Sequence, residues 1–164
     1  MHEAGTVRAL LPGILRAAKL NDMLIGINPL LSGELLKLLD EMGHGDELLL
    51  VDRNYPAASS GRPVVRLGRV SVTDAAAAIL SVFPLDRFVD RPVERMEVDD
   101  NPTIVGASQA EVLTVARVSW PDLEFGIVPR LDFYHRAQNA CAVVHTLDDR
   151  PYGCFILRKG VVTD

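Results

Sequence analysis

Three features of the sequence predict a single domain of the mixed α/β class. The chain has 164 residues, a size at which one domain buries about 70% of the surface it exposes when unfolded. Hydrophobic residues make up 48% of the chain and charged residues 24%, as in globular proteins. From Met23 onward, short segments with helical periodicity alternate with short apolar runs. We therefore expect residues 23–164 to form the domain and residues 1–22 to be an N-terminal extension.

Two helices are predicted in the first half of the domain. Ser32 is a typical N-cap residue, leucines at helical spacing follow it, and Gly43 provides a C-terminal stop. The second helix is predicted to be capped by Thr73 and to continue through an alanine-rich segment to Phe83. Pro84 then ends it, because proline cannot continue a helix.

Two further helices and a turn are predicted in the second half. Ser108 and Glu111 have the spacing of a capping box, which predicts a helix that begins there. Asp132 is expected to cap a helix that continues to Ala140. Residues 147–153 contain two aspartates, a proline and a glycine, which is typical of a hairpin-like turn into a last strand.

Six short runs between these helices have the length and composition of strands. Most are apolar enough for a buried strand, and one alternates in strand fashion. They are Leu48–Val51, Val64–Leu67, Pro92–Val98, Phe125–Val128, Cys141–His145 and Cys154–Arg158. Strands that alternate with helices support the mixed α/β class.

Charge and cysteine content argue against several classes of protein. The net charge is −5 and the pI is about 5.3, and we find no basic face of the kind that binds nucleic acid. No apolar run reaches the roughly 18 residues of a membrane span, and the first residues make a poor signal peptide. Cys141 and Cys154, like His135 and His145, show no metal-ligand spacing. We expect reduced thiols, a cytoplasmic protein and no metal.

His44 is the first candidate for catalysis. It stands between Gly43 and Gly45, after a predicted helix and before a buried strand. Flanking glycines let the backbone turn and leave the imidazole uncrowded, and histidine can donate and accept protons near neutral pH. An exposed loop histidine without a catalytic role also fits this spacing, so the local pattern leaves both interpretations open.

Other polar residues stand where strands end or helices begin. Asp52 ends an apolar strand, a common place for binding residues, although a carboxylate that caps its own turn fits equally well. Arg130, Tyr134 and Arg136 surround a helix start, where they could meet a sugar. A core tyrosine with its hydroxyl at the surface is the alternative for Tyr134. Tyr152–Gly153 lies in a predicted turn, where such residues are usually structural.

Several ordered motifs between Met23 and Val162 resemble the ribose pyranase / fucose mutarotase family of sugar-anomer isomerases. They are Pro29–Leu36, Glu41–Glu47, Asp52–Ala57, Arg130–Gln138 and Tyr152–Gly160. Motifs in a fixed order are more specific together than any of them alone. The segment that runs from Phe133 to Ala137 is similar to the fucose branch rather than the ribose branch.

The resemblance implies an RbsD-like fold and a role for each matching residue. His44 would be the proton donor, and Asp52 and Arg130 would bind sugar hydroxyls, with Tyr134 beside them. Tyr152 and Gly153 would line the same site. The family has asparagine where this chain has Cys154, and a thiol is a weaker hydrogen-bonding group than an amide.

The implied activity is interconversion of the α and β anomers of a free aldose, L-fucose or a similar monosaccharide, without a cofactor. The alternatives are a D-ribose pyranase and a monosaccharide-binding homologue without catalysis, which the change at Cys154 keeps open. The family also forms ring-like decamers with sites between neighbouring subunits, so we expect a homo-oligomer.

Overall fold

The computed structural model describes residues 23–163, which form one six-stranded sheet and four helices. The predicted extension, residues 1–22, lies outside the described residues. The helices are α1 (Gly33–Glu41), α2 (Val72–Leu80), α3 (Ala107–Ala116) and α4 (Arg130–Ala137). The strands are β1 (Glu47–Val51), β2 (Val64–Gly68), β3 (Val93–Met96), β4 (Gly126–Val128), β5 (Ala142–Thr146) and β6 (Phe155–Arg158). The mixed α/β class predicted from the sequence is confirmed.

The sheet has the strand order β2-β5-β1-β6-β3-β4. Five strands are parallel, and β6 is antiparallel to both of its neighbours. We call the edge where the five parallel strands end the carboxyl edge, and the opposite edge the amino edge. Residues 147–153 turn the chain into the last strand as predicted, but they do not form a hairpin, because β1 lies between β5 and β6.

Apolar side chains cover both faces of the sheet. In β1 the alternate residues Leu48 and Leu50 face α1, α2 and α3, whereas Leu49 and Val51 face α4 and the loop after β1. All four are fully buried, as a strand covered on both faces requires. No helix between residues 23 and 163 has the length and apolar character needed to cross a bilayer.

Three of the predicted helix caps, Thr73, Ser108 and Asp132, are wrong, because an earlier residue precedes each helix instead. The cap of α2 is Ser71, whose hydroxyl accepts a hydrogen bond from the Asp74 N–H at 3.0 Å, while Thr73 lies inside the first turn. At α3, Gly106 precedes the helix and its N–H donates to the Gln109 side chain at 3.1 Å. Ser108 is instead buried in the first turn. The Ser32 cap of α1 is confirmed.

The limits of two helices also differ from prediction. The helix α2 ends at Leu80, three residues before Phe83. Pro129 precedes α4, which includes Asp132 in its first turn and ends at Ala137. A carboxylate in the first turn is still stabilised by the positive end of the helix dipole. Asp132 therefore marks the start of α4 correctly, although it lies inside the first turn and not at the N-cap.

Candidate active site

His44 lies at the amino edge, in the loop between α1 and β1. Gly45 has a φ of +86°, a conformation that favours glycine, and it turns the chain sharply after the histidine. The His44 side chain is 47% exposed. Its Nε2 lies 3.1 Å from Oδ1 of Asp86, and its ring packs against Phe88 with the centroids 5.5 Å apart. His44 and Asp86 therefore form a hydrogen-bonded dyad.

Asp86 is the buried member of this dyad, with its side chain only 2% exposed. Burial alone would raise its pKa, but hydrogen bonds from the Phe88 N–H, His44 and Arg158 together lower it. The Arg158 Nε lies 3.2 Å from Asp86 Oδ2. Because the carboxylate is ionised and can only accept, the His44 Nε2 donates this hydrogen bond, which leaves Nδ1 as the nitrogen that can exchange a proton.

The segment Arg158–Gly160 holds both halves of the dyad through its backbone. The Gly45 N–H donates to the carbonyl of residue 159, and the N–H of residue 159 donates to the Asp46 carbonyl. On the other side, the Asp86 N–H donates to the carbonyl of residue 158, and the N–H of residue 160 donates to Pro84. The end of β6 is therefore the common support of His44 and Asp86.

A side chain from the same segment fixes the end of α1. The Lys159 ammonium donates to the backbone carbonyls of Leu39 and Met42. These carbonyls belong to the last turn of the helix and have no partner within it. Because Met42 is two residues before His44, this contact also anchors the histidine loop.

The predicted sugar-binding residues meet at the carboxyl edge, around a cavity of about 200 Å³. Five of them line it together with four residues that the sequence did not single out. The lining residues are Asp52, Asn54, Tyr55, Met96, Arg130, Tyr134, Pro151, Tyr152 and Cys154. The remaining predicted residue, Gly153, lies between two of them in the chain. The sequence prediction thus names residues that share one cavity.

Asp52 ties together the two loops that form the rim of this cavity. Its Oδ1 accepts from the Asn54 N–H and its Oδ2 from the Gly153 N–H, both at 2.9 Å. Burial raises the pKa of Asp52, which is 2% exposed, and these backbone hydrogen bonds oppose the rise. The turn-carboxylate interpretation of Asp52 therefore describes its contacts within the chain.

The helix α4 supplies Arg130 and Tyr134. They are four residues apart and so lie on one face of the helix. The Tyr134 ring stacks on Tyr55, with the centroids 5.8 Å apart. Arg130 is exposed at the first turn of α4. Burial raises the pKa of Tyr55 to about 12, so this hydroxyl stays protonated at neutral pH.

Tyr152 is held in an uncommon backbone conformation beside the cavity. Its φ is +61°, a region that non-glycine residues rarely occupy. The buried Gln109 side chain donates to the Tyr152 carbonyl at 2.9 Å, and the Tyr152 hydroxyl donates to Asp99 at 2.6 Å. The hydrogen bond to Asp99 raises the pKa of Tyr152. Strain of this kind concentrates where a side chain must be aimed at a site.

Cys154 lines the cavity although little of it is exposed. Its Sγ lies 3.8 Å from Asp52 Oδ2, and the residue is 3% exposed. Burial and the nearby carboxylate raise the pKa of the thiol, so it stays neutral and donates weakly. Both Cys154 and Cys141 are free thiols.

The dyad and the cavity do not meet within one chain. His44 precedes β1 and Asp52 follows it, so the five residues of the strand separate them by about 16 Å. The cavity of about 200 Å³ is also smaller than the roughly 300 Å³ at which ligand pockets usually begin. Within one chain, the dyad and the cavity therefore lie at opposite edges of the sheet.

Comparison with known proteins identifies the family. The profile of the RbsD / FucU transport protein family matches residues 25–162. The chain belongs to this family. Its fold resembles FucU from Bifidobacterium longum with a TM-score of 0.79 and 37% identity, covering 84% of this chain and 99% of that one.

Two sugar complexes of the RbsD / FucU family also resemble the chain. The fucose mutarotase from Streptococcus pneumoniae, solved with L-fucose, has a TM-score of 0.74 and 34% identity over 85% of this chain and 100% of that one. Bacillus subtilis RbsD, solved with D-ribose, has a TM-score of 0.65 and 22% identity over 81% and 95% of the two chains, and it shows the fold alone. The chain is thus more similar to the fucose members.

Sequence reasoning missed Asp86, Tyr55 and Met96. Asp86 is 42 residues from His44, and its local sequence carries no signal of the pairing. Tyr55 lies in a motif that resembles the family, but spacing gave it no role.

Among residues 23–163, no three His, Cys, Asp or Glu side chains are grouped as metal ligands.

Proposed function

We propose that the protein is a mutarotase that interconverts the α and β anomers of a free aldose, L-fucose or a similar monosaccharide. The observation that carries this proposal is the convergence of Asp52, Arg130, Tyr134, Tyr152 and Cys154 around one cavity. A 34% identical relative is a fucose mutarotase solved with L-fucose. The His44–Asp86 dyad supplies a proton-transfer group of the kind the reaction needs.

The proposed chemistry is general acid–base catalysis of ring opening and closure. The anomeric O–H loses a proton while the ring oxygen gains one, the C–O bond breaks, and the ring closes again on the other face of the aldehyde. His44 would accept the anomeric proton at Nδ1 and then donate it from the same nitrogen to the ring oxygen, with Asp86 fixing the tautomer and the ring orientation. Such proton transfer contributes about 10²–10⁴-fold to the rate. The sugar hydroxyls would be bound in the cavity by Arg130, Tyr134 and Tyr152, with Asp52 and Cys154 on the cavity wall.

We further propose that the working site joins the amino edge of one copy to the carboxyl edge of another. The separation of about 16 Å along β1 and the small cavity support this arrangement. Phe88, which is 77% exposed and packs on His44, offers an apolar contact beside the dyad. The resemblance to the family favours a ring-like decamer, and the free thiols are compatible with a cytoplasmic protein.

Mixing two inactive variants tests the shared site. A His44→Ala chain retains an intact carboxyl edge, and an Arg130→Ala chain retains an intact dyad. If sites form between copies, refolding the two variants together restores part of the anomer exchange that each lacks alone. A mixture that assembles but stays inactive would contradict the shared site, and light scattering would show whether assembly occurred.

The substrate is tested by saturation-transfer NMR on anomeric protons with a panel of sugars. Exchange that is fastest with L-fucose supports the mutarotase proposal. Pyranose–furanose exchange confined to D-ribose would replace it with a ribose pyranase. Sugar binding without exchange would leave a monosaccharide-binding protein, the alternative that the thiol at position 154 keeps open.

A further inference from the structure

A second cavity, of about 320 Å³, lies at the carboxyl edge where β2 and β5 end. The loop after β1 and these two strands line it, and it is open to solvent. Its lining residues are Arg53, Tyr55, Pro56, Ala57, Ala58, Ser59, Arg66 and His145. Tyr55 lines this cavity and the proposed sugar cavity, so one aromatic residue forms a wall of both.

The charges around this second cavity have one sign. Arg53 and Arg66 line it, and no carboxylate does. Within residues 23–163, neither guanidinium has a carboxylate oxygen within 4 Å, which is also true of several other arginines, whereas Arg136, Arg150 and Arg158 form ion pairs. Arg53 and Arg66 are thus two arginines without a carboxylate partner that line the same cavity.

His145 fixes the orientation of one of these arginines. It is 7% exposed, and its Nδ1 lies 3.3 Å from Nη1 of Arg66. Because a guanidinium can only donate, the imidazole nitrogen accepts, and the ring is neutral. Burial and the Arg66 charge lower the pKa of His145. A buried neutral histidine thus accepts from one nitrogen of the Arg66 guanidinium, and Arg66 lines the cavity.

A neighbouring cavity carries charges of both signs. It has a volume of about 570 Å³, shares Arg53 with the second cavity and also includes Arg69, Arg150, Asp148 and Asp149. Its buried carboxylate, Asp148, is already bonded to Arg150 at 2.8 Å and to the Val72 N–H at 2.9 Å. Asp148 therefore does little to neutralise Arg53.

We propose that the second cavity binds a phosphate group, with Arg53 and Arg66 as its two guanidinium donors and His145 as the residue that positions Arg66. The planar fork of arginine matches phosphate oxygens, and its charge persists at every working pH. The phosphate is either a free anion or part of a phosphorylated monosaccharide, because Tyr55 separates this cavity from the sugar cavity by a single side chain. This inference does not depend on the mutarotase proposal.

Titration of the full chain with inorganic phosphate, followed by NMR or calorimetry in chloride buffer without sugar, tests the proposal. Saturable binding is expected, and Arg53→Gln is expected to weaken it on the order of tenfold, the loss from one charge-assisted hydrogen bond. Arg62→Gln is the matched control, because this exposed arginine lies outside the cavity lining. Arg53→Lys keeps the charge and should weaken binding less than Arg53→Gln.

Three results would overturn the proposal. They are the absence of saturable binding, equal affinity of wild type and Arg53→Gln, and equal weakening by Arg62→Gln, which would indicate diffuse surface charge. A change of oligomeric size in Arg53→Gln together with no phosphate binding would assign the arginines to an interface between copies. In the comparison arm, glucose 6-phosphate that binds at least tenfold more tightly than both inorganic phosphate and glucose identifies a phosphorylated sugar. Otherwise the ligand is the free anion.

Discussion

The two edges of the sheet hold their polar side chains in different ways. At the amino edge, carboxylates bond to side chains: Asp86 joins His44 to Arg158, and Glu47 pairs with Arg136 at 2.7 Å. Around the proposed sugar cavity at the carboxyl edge, Asp52 instead accepts from backbone N–H groups. The proposed proton-transfer group and the proposed binding groups are therefore held in place by different parts of the chain. A substitution that disrupts one of them should leave the other intact.

His44→Ala is the change with the largest expected effect. We expect anomer exchange to fall by about 10²–10⁴-fold, the contribution of a general acid or base. The fold should persist because the side chain is 47% exposed, and most sugar binding should persist because the residues proposed to hold the sugar hydroxyls are unchanged. Saturation-transfer NMR measures exchange and calorimetry measures binding. Near-normal exchange in the folded variant would remove His44 from the mechanism, and Arg130→Ala serves as the counterpart that loses binding.

Gly160→Ala tests the backbone support of the dyad. A Cβ at this position would lie 2.5 Å from the Leu85 carbonyl oxygen and 2.8 Å from Asp86 Cα, so the segment before Asp86 must move. We expect a loss of about 1–3 kcal/mol in the free energy of unfolding, as for an overpacked site, and slower exchange. Gly33→Ala is the control, because nothing lies within 4 Å of its added Cβ. Equal melting of the two variants would show that the contact is not tight.

Asp148→Asn tests the carboxyl edge through its pH dependence. Hydrogen bonds from Arg150 come first among the causes that lower the pKa of Asp148 to about 2. The unfolded carboxylate, with a pKa of about 3.9, binds protons more readily, so stability rises with pH across this window. The contribution should be complete above about pH 5 and lost as the pH falls from about 4 to 2.

The variant should lose about 1–2 kcal/mol of stability at neutral pH, since Arg150 is 33% exposed and solvent screens the pair. Denaturant unfolding at pH 7 and pH 3 measures the difference, which should shrink at the lower pH. Asp149→Asn, at an exposed position, is the matched control. A loss that is independent of pH would contradict an electrostatic origin.

Cys154→Asn tests the proposed sugar cavity at the carboxyl edge without changing the amino edge. In the wild type, Asp52 Oδ2 lies 3.8 Å from the thiol. In the variant, the asparagine amide nitrogen would lie near this oxygen, and the amide carbonyl could face the sugar. We expect tighter fucose binding by about 0.5–1.5 kcal/mol, the net contribution of one hydrogen bond, with the dyad unaffected. Cys154→Ala, which removes the thiol without adding an amide, is the control. Destabilisation with unchanged affinity would remove Cys154 from the sugar site.

Deletion of residues 1–22 has the smallest expected effect. The family profile begins at residue 25, and both edges of the sheet are built from residues after it. We propose that the extension takes part in neither edge, so exchange, melting temperature and oligomeric size should not change. A truncated chain that fails to assemble would contradict this.

The sequence predicted the strands better than the contacts between them. Apolar runs such as Leu48–Val51 mark strands by their composition, but nothing local indicates that β6 inserts between β1 and β3. At α2, Ser71 and Thr73 are both good caps, and tertiary packing decides between them. Asp86 could not be found for a similar reason, because its pairing with His44 depends on the strand order.

The candidate site was more predictable on its binding side. Five of the predicted residues line one cavity because three motifs, Asp52–Ala57, Arg130–Gln138 and Tyr152–Gly160, begin at the carboxyl edge. Composition gave no indication of the second cavity. Arg53, Arg66 and His145 are far apart in the sequence, and only the parallel arrangement of β1, β5 and β2 brings them together.

The Lys159 ammonium makes the histidine loop sensitive to chemistry that never touches the histidine. Its positive charge faces the negative end of the α1 dipole and its donors satisfy Leu39 and Met42. An acyl group on this nitrogen would remove the charge and all but one donor. At least one carbonyl would then lack its partner, and the last turn of α1 would loosen. Acylation of a single lysine would thus act on the dyad through the end of a helix.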